Sequence, residues 1–572
     1  MEAGVKHIQE IFLNNITLRI PYFQRAYVWK EDNWERFISD MLDLLETKDN
    51  YFLGSVILKK AGENELGYEQ YDVVDGQQRL TTLVVFSKIL YLMAAKNEKF
   101  ISKFMQDDIN APILSPNRRD SAAFDDIVKM DSLGHKVAEK GQVRKAFDYF
   151  YDRMDVPEIR DRANTLITKM STKVYFVRII VDENENEQQI FDTINSLGQD
   201  LTTGELLKNY LFNDQNVDIY DEQWVPVFER RGNDYNYWTD QITKGRLKAN
   251  NIETFFYNFM LIKMQDSEIR TGLTPIEKKI YRKQEGLFES YKKLIQNHGL
   301  DKNELIKEIV DYGKIYHDNF NQAILTEALV RYSGMKRLSF LLFAQGAWTP
   351  VPYILYILKA VNDKKEQVKI FEYLETYLVR RIICKSKNNN YSDLFSENLI
   401  GQGVNTFQLF KNYVNDANNR GALLMPSDDD VRESLMRNDL QKESLVLLYL
   451  LESKLNDKFS TEDVYDNSYE VFASEPIMPI KYDESKWPLS DNITGEERDA
   501  LVKTLGNQIF VRGGKLKPAK SGLCWDDKKK MLKNKVQNLR LGQVINYEEW
   551  NDDLIAKRNN ALAGMIIKYW RI

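Results

Sequence analysis

The feature that most constrains the fold of this chain is a five-residue segment, Asp75-Gly76-Gln77-Gln78-Arg79. A mostly apolar run, Tyr71 to Val74, precedes it, and a helical pattern, Leu80 to Met93, follows it. This order predicts a strand, a tight glycine turn and the start of a helix. Because such a turn points backbone N–H groups and the positive end of a helix at one place, it suits a phosphate group.

The side chains of the segment fit the same chemistry. Arg79 can bind a phosphate through two hydrogen bonds. Asp75 can hold a metal-bound water or a ribose hydroxyl. The alternative is an ordinary strand–turn–helix corner with a capping aspartate, and the segment in isolation favours that alternative.

Length and composition narrow the class of protein. A chain of 572 residues predicts about three to four domains. Its apolar runs are shorter than the roughly 18 residues of a membrane span, and its first residues lack a signal-peptide pattern. Two cysteines, Cys384 and Cys524, make neither a disulfide framework nor a zinc site. We therefore expect a cytoplasmic protein without a membrane anchor.

The charge is unevenly distributed. The net charge is −6, but residues 510–540 hold ten Lys/Arg and two Asp/Glu, a local net of +8. A short basic segment on an acidic chain predicts a polyanion contact at one place. The alternative is a solvated, lysine-rich helix face.

The order of patterns predicts an α+β protein with three domains, 1–195, 196–460 and 461–572. The first mixes strands and helices, the second is almost wholly helical, and the third is irregular and basic. The clearest predicted elements are the strands Ile20–Tyr27, Tyr51–Leu58, Tyr71–Val74 and Val174–Ile180, and the helices Asp32–Leu45, Leu80–Ala95, Ile252–Met264, Glu366–Ile383 and Glu443–Leu455.

The usual phosphate-loop, dinucleotide and zinc motifs are missing from the sequence. Instead, polar residues interrupt apolar runs at Gln24-Arg25, at Gly54-Ser55 and around Asn195. Burying Gln24 and Arg25 costs free energy unless a ligand or another group satisfies them. Lys208, further on, can approach a phosphate as a point charge.

These segments, in this order, resemble the nucleotide-hydrolysing domain of GmrSD-type restriction enzymes. The family pattern I-P-x-Y-Q-R-x-Y-x-W, L-G-S, D-G-Q-Q-R-L-T-T-L and F-x-T-x-N-x-x-G with L-x-K-N is matched almost throughout. Phe23 replaces the usual tyrosine and Leu197 a common arginine. The first segment matches at Ile20, Pro21, Gln24, Arg25, Tyr27 and Trp29.

The resemblance implies a ParB/sulfiredoxin-like fold that binds and hydrolyses a nucleoside triphosphate with Mg²⁺. Phosphoryl transfer needs cations on the phosphates and a carboxylate on metal or water, which these segments supply. The implied catalytic residues are Asp75, Gln78 and Arg79, with Asp75 also the metal ligand. The implied nucleotide-binding residues are Gln24, Arg25, Gly76, Gln77, Asn195 and Lys208.

The C-terminal region resembles an HNH-type nuclease domain that has lost its histidine. Glu475-Pro476 stands at the E-H motif and Leu505-Gly506-Asn507 at the L-G-N motif. Proline cannot act as a general base, so we expect a degenerate nuclease motif formed by Glu475, Pro476 and Asn507. The pattern ends with Trp550, Ile555, Arg558, Leu562 and Trp570. The residues expected to contact DNA are Arg512, Lys515, Lys517, Lys528, Lys529 and Lys530.

In the helical middle, Arg380-Arg381-Ile382-Ile383-Cys384 fits a further family motif, R-R-x-I-C. For Arg380 and Arg381 an interhelix ion-pair site is the competing explanation.

These observations favour an NTP-hydrolysing sensor or regulator in defence against modified DNA. It would bind double-stranded DNA and leave cleavage to a separate partner subunit. One alternative is an active modification-dependent endonuclease with Glu475 or Asp483 as base. Another is a non-hydrolysing interaction protein that a nucleotide switches. The choice of NTP, the DNA modification and the oligomeric state stay open.

Overall fold

The structure is a computed structural model, and it divides the chain into two compact units, Met1–Tyr220 and Asp221–Ile572. The three-domain division stays a prediction. The residues described are 2–13, 15–64, 67–106, 111–133, 141–182, 202–213, 215–229, 237–244, 247–332, 334–416, 423–461, 465–514 and 523–572.

The first unit contains a six-stranded mixed sheet with the order β1-β8-β3-β4-β2-β7. β3 pairs antiparallel with β4 and parallel with β8, and β2 runs parallel to both β4 and β7. β4 therefore lies inside the sheet and ends at Asp75. The strands are β1 Glu2–His7, β2 Ile16–Arg19, β3 Tyr51–Glu63, β4 Glu69–Asp75, β5 Met105–Gln106, β6 Ala111–Pro112, β7 Leu114–Ser115 and β8 Val174–Val181.

One helix of this unit, α3, is buried on almost every side, and it begins directly after the glycine turn. Leu80, Leu83 and Phe86 are completely buried in the core of the unit. Packing on all faces holds the start of α3 in a fixed place. The helices are α1 Ile8–Ile11, α2 Glu31–Asp43, α3 Gln77–Met93, α4 Asn97–Phe104, α5 Ser121–Val128, α6 Gln142–Met154, α7 Pro157–Lys173, α8 Thr203–Leu211 and α9 Val217–Ile219.

The predicted strand–turn–helix at residues 71–93 is confirmed, as are the strands in β3 and β8 and the helix in α2. The predicted strand Ile20–Tyr27 is wrong. β2 ends at Arg19, and the chain turns so that the backbone N–H of Gln24 donates to the carbonyl of Pro21 at 3.0 Å. Pro21 lacks the N–H that a continuing strand needs, so the apolar run becomes a packed irregular segment.

The second unit is mainly helical with two short hairpins, so the described chain is mixed α+β. The helical character predicted for 196–460 is present in the described residues of the unit, while the segment after it, predicted to be irregular, also contains helices. The hairpins are Gln241–Lys244 with Leu247–Asn250, and Phe472–Pro476 with Gln508–Arg512. The α-helices of four or more residues are Val225–Phe228, Asn251–Lys263, Ser267–Gly272, Pro275–Tyr281, Leu287–His298, Lys302–Asn319, Gly334–Gln345, Val351–Ala360, Lys364–Ile383, Phe407–Asn415, Asp428–Arg437, Ser444–Leu455, Gly495–Leu501, Trp525–Leu532 and Asp552–Tyr569.

Segments of 3-10 or π-helix, and one α-helix of three residues, complete this unit. They are Tyr220–Trp224, which begins one residue before the unit, Gln322–Thr326, Asp393–Asn398, Leu399–Gly401, Tyr469–Val471, Leu505–Asn507, Lys533–Val536 and Leu541–Asn546. The ParB-like and HNH-like assignments stay predictions.

Buried arginines join the helices of the second unit to its C-terminal residues. The Arg380 guanidinium donates to the carbonyl of Trp570 at 2.8 Å and pairs with Asp428 at 2.6 Å. Arg381 donates to the Tyr391 hydroxyl and to two carbonyls. Both arginines are buried, so the R-R-x-I-C segment is structural here, and the expected ion pair is present at Arg380.

No helix within the described ranges is both long enough and apolar enough to span a bilayer.

Candidate functional site

The turn between β4 and α3 requires glycine. Gly76 has φ +96°, in the left-handed region that other residues rarely adopt. A Cβ at this position would lie 3.0 Å from Val56 Cγ2 and 3.2 Å from the Ser55 carbonyl oxygen. The turn is therefore pressed against β3, which fixes the positions of Asp75 and Arg79 on either side of it.

Arg79 is held in one orientation by neighbouring groups. Its Nη2 donates to Asp75 Oδ2 and to the carbonyl of Ser55, both at 2.8 Å. A Cβ on Gly54 would lie 2.9 Å from Arg79 Nη1, and Gly54 has φ +112°. The Gly54-Ser55 interruption of β3 therefore makes room for this guanidinium. Arg79 Nε is buried without a hydrogen-bond partner.

The start of α3 follows closely after Asp75, whose carboxylate pairs with Arg79. No side chain among the described residues caps this helix start, and its first turn contains no acidic residue. Gln77 is the first residue of the helix, and its Oε1 is buried without a hydrogen bond. First-turn N–H groups and the helix dipole attract negative charge, so this end of α3 suits an anion.

Gln24 and Gln78 tie the segment 20–29 to the turn. Gln24 Nε2 donates to the carbonyl of Val73 at 2.7 Å. Gln78 Oε1 accepts from the N–H of Val28 at 2.9 Å, and its Nε2 donates to the carbonyl of Ala26 at 3.2 Å. Both glutamines are buried. Their amides are engaged with backbone, which is the geometry of positioning residues, and their roles toward a ligand stay predictions.

Two residues that the sequence analysis missed hold the same segment. Asn117 Nδ2 donates to the carbonyl of Gln24 at 2.6 Å, and Asp120 Oδ2 accepts from the N–H of Tyr27 at 2.7 Å. They precede α5 in an irregular stretch without a recognisable pattern. Tyr27 itself is fixed by a hydrogen bond of 2.6 Å between its hydroxyl and Thr82 Oγ1.

A cationic cluster lies beside these elements, formed by Arg25, Arg119 and Lys208, and the Glu205 carboxylate interacts with Arg25 and Lys208. Arg25 Nη1 lies 4.0 Å from Glu205 Oε1, and Arg25 Nε is buried without a hydrogen bond. Lys208 is buried on α8. Burial lowers the pKa of Lys208 to about 7; Glu205 opposes this shift, while Arg119 and Arg25 add to it. Arg119 is a further residue that the motifs did not identify.

Glu205 owes its position to the start of α8. Its carboxylate accepts from the N–H of Thr202 at 2.9 Å, and its own N–H donates to Thr202 Oγ1 at 3.2 Å. This reciprocal cap fixes the helix and places Lys208 one turn later. Asn195 lies outside the described residues.

The described residues contain no group of three or more His, Cys, Asp or Glu side chains that could hold a metal ion. Asp75 is a single carboxylate paired with Arg79. Mg²⁺ commonly takes one or two protein carboxylates together with substrate phosphates and water. One carboxylate at an anion-attracting helix start fits a nucleotide-borne Mg²⁺ and not a permanent, all-protein metal site.

In the C-terminal hairpin, the residues at the nuclease motif are engaged with one another. Pro476 pairs with Gln508 in the hairpin register. Lys528 Nζ donates to the carbonyls of Pro476 and Ile477 at 2.9 and 3.0 Å and lies 3.9 Å from Glu475 Oε1. Lys528 is completely buried, and burial lowers its pKa to about 8. The Lys528 ammonium is enclosed in the fold, and its contact with DNA stays a prediction.

Asn507 is a buried clamp. Its Nδ2 donates to the carbonyls of Met478 and Val502 at 2.8 and 2.7 Å, and its Oδ1 accepts from the N–H of Met478 at 2.9 Å and from Trp550 Nε1 at 3.2 Å. A Cβ on Gly506 would lie 2.6 Å from the Asn559 side chain. Close packing thus accounts for the whole L-G-N segment.

The other basic residues differ in how available they are. Arg512 donates to the carbonyl of Gln537 and to Asn467 Oδ1, both at 2.6 Å. Lys529 Nζ donates to the carbonyl of Tyr547 at 3.3 Å. Lys530 is 77% exposed and weakly paired with Asp527. Lys515 and Lys517 lie outside the described residues, so Lys530 is the most accessible of the described cations in this set.

The two proposed substitute bases have different surroundings. Glu475 is buried against Lys528. Asp483 is solvent-exposed, and hydrogen bonds from Ser485 lower its pKa. An active nuclease with either base stays a hypothesis.

Comparison with known proteins bears directly on these two regions. Residues 8–212 match the model for the GmrSD restriction endonuclease N-terminal domain, and residues 425–565 match the model for the C-terminal domain of GmrSD restriction endonucleases. No curated protein matches the chain. The first match covers the glycine turn and the cationic cluster, and the second covers the C-terminal hairpin. With both terminal domain types in this order, the chain belongs to the GmrSD family of restriction endonucleases.

Proposed function

We propose that this protein is a DNA-binding, nucleotide-hydrolysing sensor in a defence system directed at modified DNA, and that the N-terminal unit holds its nucleotide site. The observation that carries the proposal is the gathering of Arg25 and Arg119 beside the buried Lys208, with one carboxylate, Glu205, among them. Burying an ammonium near like charges raises the free energy of the fold, and a polyphosphate offsets that cost.

The neighbouring turn supports the same ligand. Arg25 Nε, Gln77 Oε1 and Arg79 Nε are buried polar atoms without hydrogen bonds. Such atoms are uncommon in folded proteins and call for an explanation such as a functional site. In the proposed complex, the uncapped start of α3 and the cluster face the phosphates, and Asp75 holds the Mg²⁺ that accompanies them. The ion would neutralise charge that develops on the phosphates during transfer.

The test is NTP hydrolysis by the full chain with Mg²⁺, in the presence and absence of modified and plain DNA. Asp75→Asn is compared with Asp72→Asn, a matched variant three residues earlier on β4 whose carboxylate pairs with Arg19 at 2.6 Å. We expect turnover in the wild-type protein and in Asp72→Asn, and its loss in Asp75→Asn. Equal turnover in the two variants, or background turnover in all three proteins, would reject the proposal.

The alternatives have separate readouts. Cleavage of modified DNA by the purified chain would establish an active nuclease. Tight NTP binding without product release would establish a non-hydrolysing switch. The proposal predicts intact DNA and steady product release, with cleavage supplied by a partner subunit.

A further inference from the structure

A second site lies in the C-terminal region, apart from the hairpin motif. The helical turn Leu541–Asn546 and the helix Asp552–Tyr569 enclose a cavity of about 440 Å³. This volume is within the usual range for sites that bind small molecules. The whole cavity lies inside the segment matched by the C-terminal family model.

The charge of the cavity is positive. Arg540, Lys557 and Arg558 line it, and no carboxylate is among the described residues of its lining. Arg540 and Lys557 are exposed. Neither forms an ion pair with another described residue, so both cations are available to an anion at the entrance.

Arg558 supplies the buried part of this charge. Its Nη1 donates to the carbonyls of Gly506 and Gln508 at 2.8 and 2.7 Å, which fixes the guanidinium. Its Nη2 is buried and has no hydrogen-bond partner, and the residue as a whole is only 9% exposed. A buried, incompletely satisfied guanidinium is unusual, and an anionic or carbonyl-bearing ligand would complete it.

The rest of the lining is suited to a flat, partly apolar group. Leu562 and Met565 contribute apolar surface, and Tyr547 presents a ring that is 40% exposed. Exposed aromatic rings next to cations are the usual means of binding a base together with its phosphate.

We propose that this cavity binds one nucleotide unit, with the phosphate at Arg540 and Lys557, the base against Tyr547 and the apolar wall, and an acceptor of the base or sugar at Arg558. The unit comes either from a DNA strand or from a free nucleotide. This site is independent of the N-terminal nucleotide site and of NTP hydrolysis.

The experiment measures the binding of deoxycytidine monophosphate, inorganic phosphate and a short single-stranded oligodeoxynucleotide to the full chain. One variant, Arg540→Ala/Lys557→Ala, removes the entrance charges. A second, Ala561→Trp, fills the cavity and leaves every cation in place, because Ala561 is an exposed lining residue. The cavity positions Arg540, Lys557 and Ala561 and the control positions Lys279, Lys314 and Asn560 are exposed, and thermal melting verifies that each variant is folded.

Matched control variants distinguish binding in the cavity from the general effect of losing positive charge and from the general effect of adding a large side chain. Lys279→Ala/Lys314→Ala removes the same charge from exposed positions on other helices of the unit. Asn560→Trp adds the same ring one residue earlier on the same helix, at an exposed position outside the lining. Arg79→Ala reports any contribution from the N-terminal site.

We expect the monophosphate to bind more tightly than inorganic phosphate, and both cavity variants to weaken its binding by about tenfold or more. The charge control and the bulk control stay within about twofold, and any decrease in Arg79→Ala measures the share of the probe that binds at the N-terminal site. A parallel loss of oligonucleotide binding identifies DNA as the source of the unit, and unchanged oligonucleotide binding identifies a free nucleotide. Absence of saturable monophosphate binding, or binding that survives both cavity variants or disappears in Arg79→Ala, would overturn the proposal.

Discussion

The glycine turn of the N-terminal unit and the hairpin of the C-terminal region both contain family motifs, yet their polar residues are used differently. At the turn, Arg25, Gln77 and Arg79 retain buried atoms without hydrogen bonds. At the hairpin, Asn507 makes four hydrogen bonds within the protein, and Lys528 is enclosed by carbonyls, while Gln508 Nε2 and Arg558 Nη2 nearby are buried without hydrogen bonds. Residues of one motif can thus serve either the fold or a ligand, and the hydrogen-bond partners of each residue indicate which.

The motif residues around the turn also differ from one another in how their polar groups are used. Gln24 and Gln78 belong to the motifs, but their amides bond to backbone groups. They hold the segment that carries Arg25, so they support the proposed site without being its cations.

The largest effect should be on the free energy of unfolding when the Asn507 side chain, the clamp beside the C-terminal hairpin, is removed. Asn507→Ala leaves two carbonyls and two N–H groups buried without partners, so we expect unfolding free energy to fall by about 3 kcal/mol or more in urea titrations. Asn534→Ala, at an exposed position, is the control and should change it by less than about 0.5 kcal/mol. A clamp variant of normal stability that has lost NTP turnover would show that Asn507 acts in function.

The second-largest effect should be on catalysis at the proposed phosphate site. Arg25→Ala removes a cation from the proposed phosphate site, and we expect kcat/KM for NTP to fall about 100-fold, near 2.7 kcal/mol. Arg19→Ala is the matched control, because Arg19 lies on β2 and pairs with Asp72 instead of the cluster. A similar loss in both variants would mean that arginine removal acts through the fold.

Two glycines of β3 allow a sharper test of how Arg79 is positioned. Gly54→Ala and Gly62→Ala both place alanine at a positive φ, which costs about 1–2 kcal/mol of stability. The added Cβ meets Arg79 only at Gly54, since nothing lies within 4 Å of it at Gly62. We expect both variants to lose stability in thermal melts, and only Gly54→Ala to lose NTP turnover, by about tenfold. Equal turnover in the two would contradict a role for the Arg79 orientation.

The buried ammonium of Lys208 predicts that NTP affinity depends on pH, with a smaller effect than those of the variants above. Its pKa is about 7, below the usual 10.5, because burial disfavours the charged form. Phosphate binding needs the ammonium, so NTP affinity should fall as pH rises above about 7, by at most about tenfold per pH unit. Lys208→Met should flatten this slope, and an unchanged slope in titrations of the variant would exclude Lys208 as its source.

The sign for stability is opposite to the sign for affinity. Between pH about 7 and 10.5 the unfolded chain binds the Lys208 proton and the folded chain does not. The contribution of Lys208 to the free energy of unfolding therefore rises with pH across that window and is lowest below it.

The smallest expected effect concerns the missing histidine. Pro476→His restores the motif in sequence, but Glu475 stays buried against Lys528, and the described residues contain no cluster of three or more His, Cys, Asp or Glu side chains that could hold a metal ion. We expect no cleavage of modified or plain DNA with Mg²⁺ or Mn²⁺ in a gel assay. Appearance of cleavage would show that histidine was the only missing part.

Local patterns predicted the elements around the site well, because β4, the turn and α3 combine apolar runs, a glycine and helical spacing. They misread Ile20–Tyr27, whose apolar residues pack without a strand because Pro21 and Gln24 redirect the backbone. Arg119 and Asn117 were missed because tertiary packing, and not sequence spacing, brings them to the motif residues. The burial of Lys528 was not foreseen, because a charge run does not reveal which of its members is buried.

The most direct test of the proposed nucleotide site is a crystal structure of the full chain with a non-hydrolysable NTP and Mg²⁺. We expect the triphosphate at the start of α3, in contact with Arg25 and Lys208, with the ion beside Asp75. A nucleotide bound elsewhere in the chain, with these residues unchanged, would contradict it.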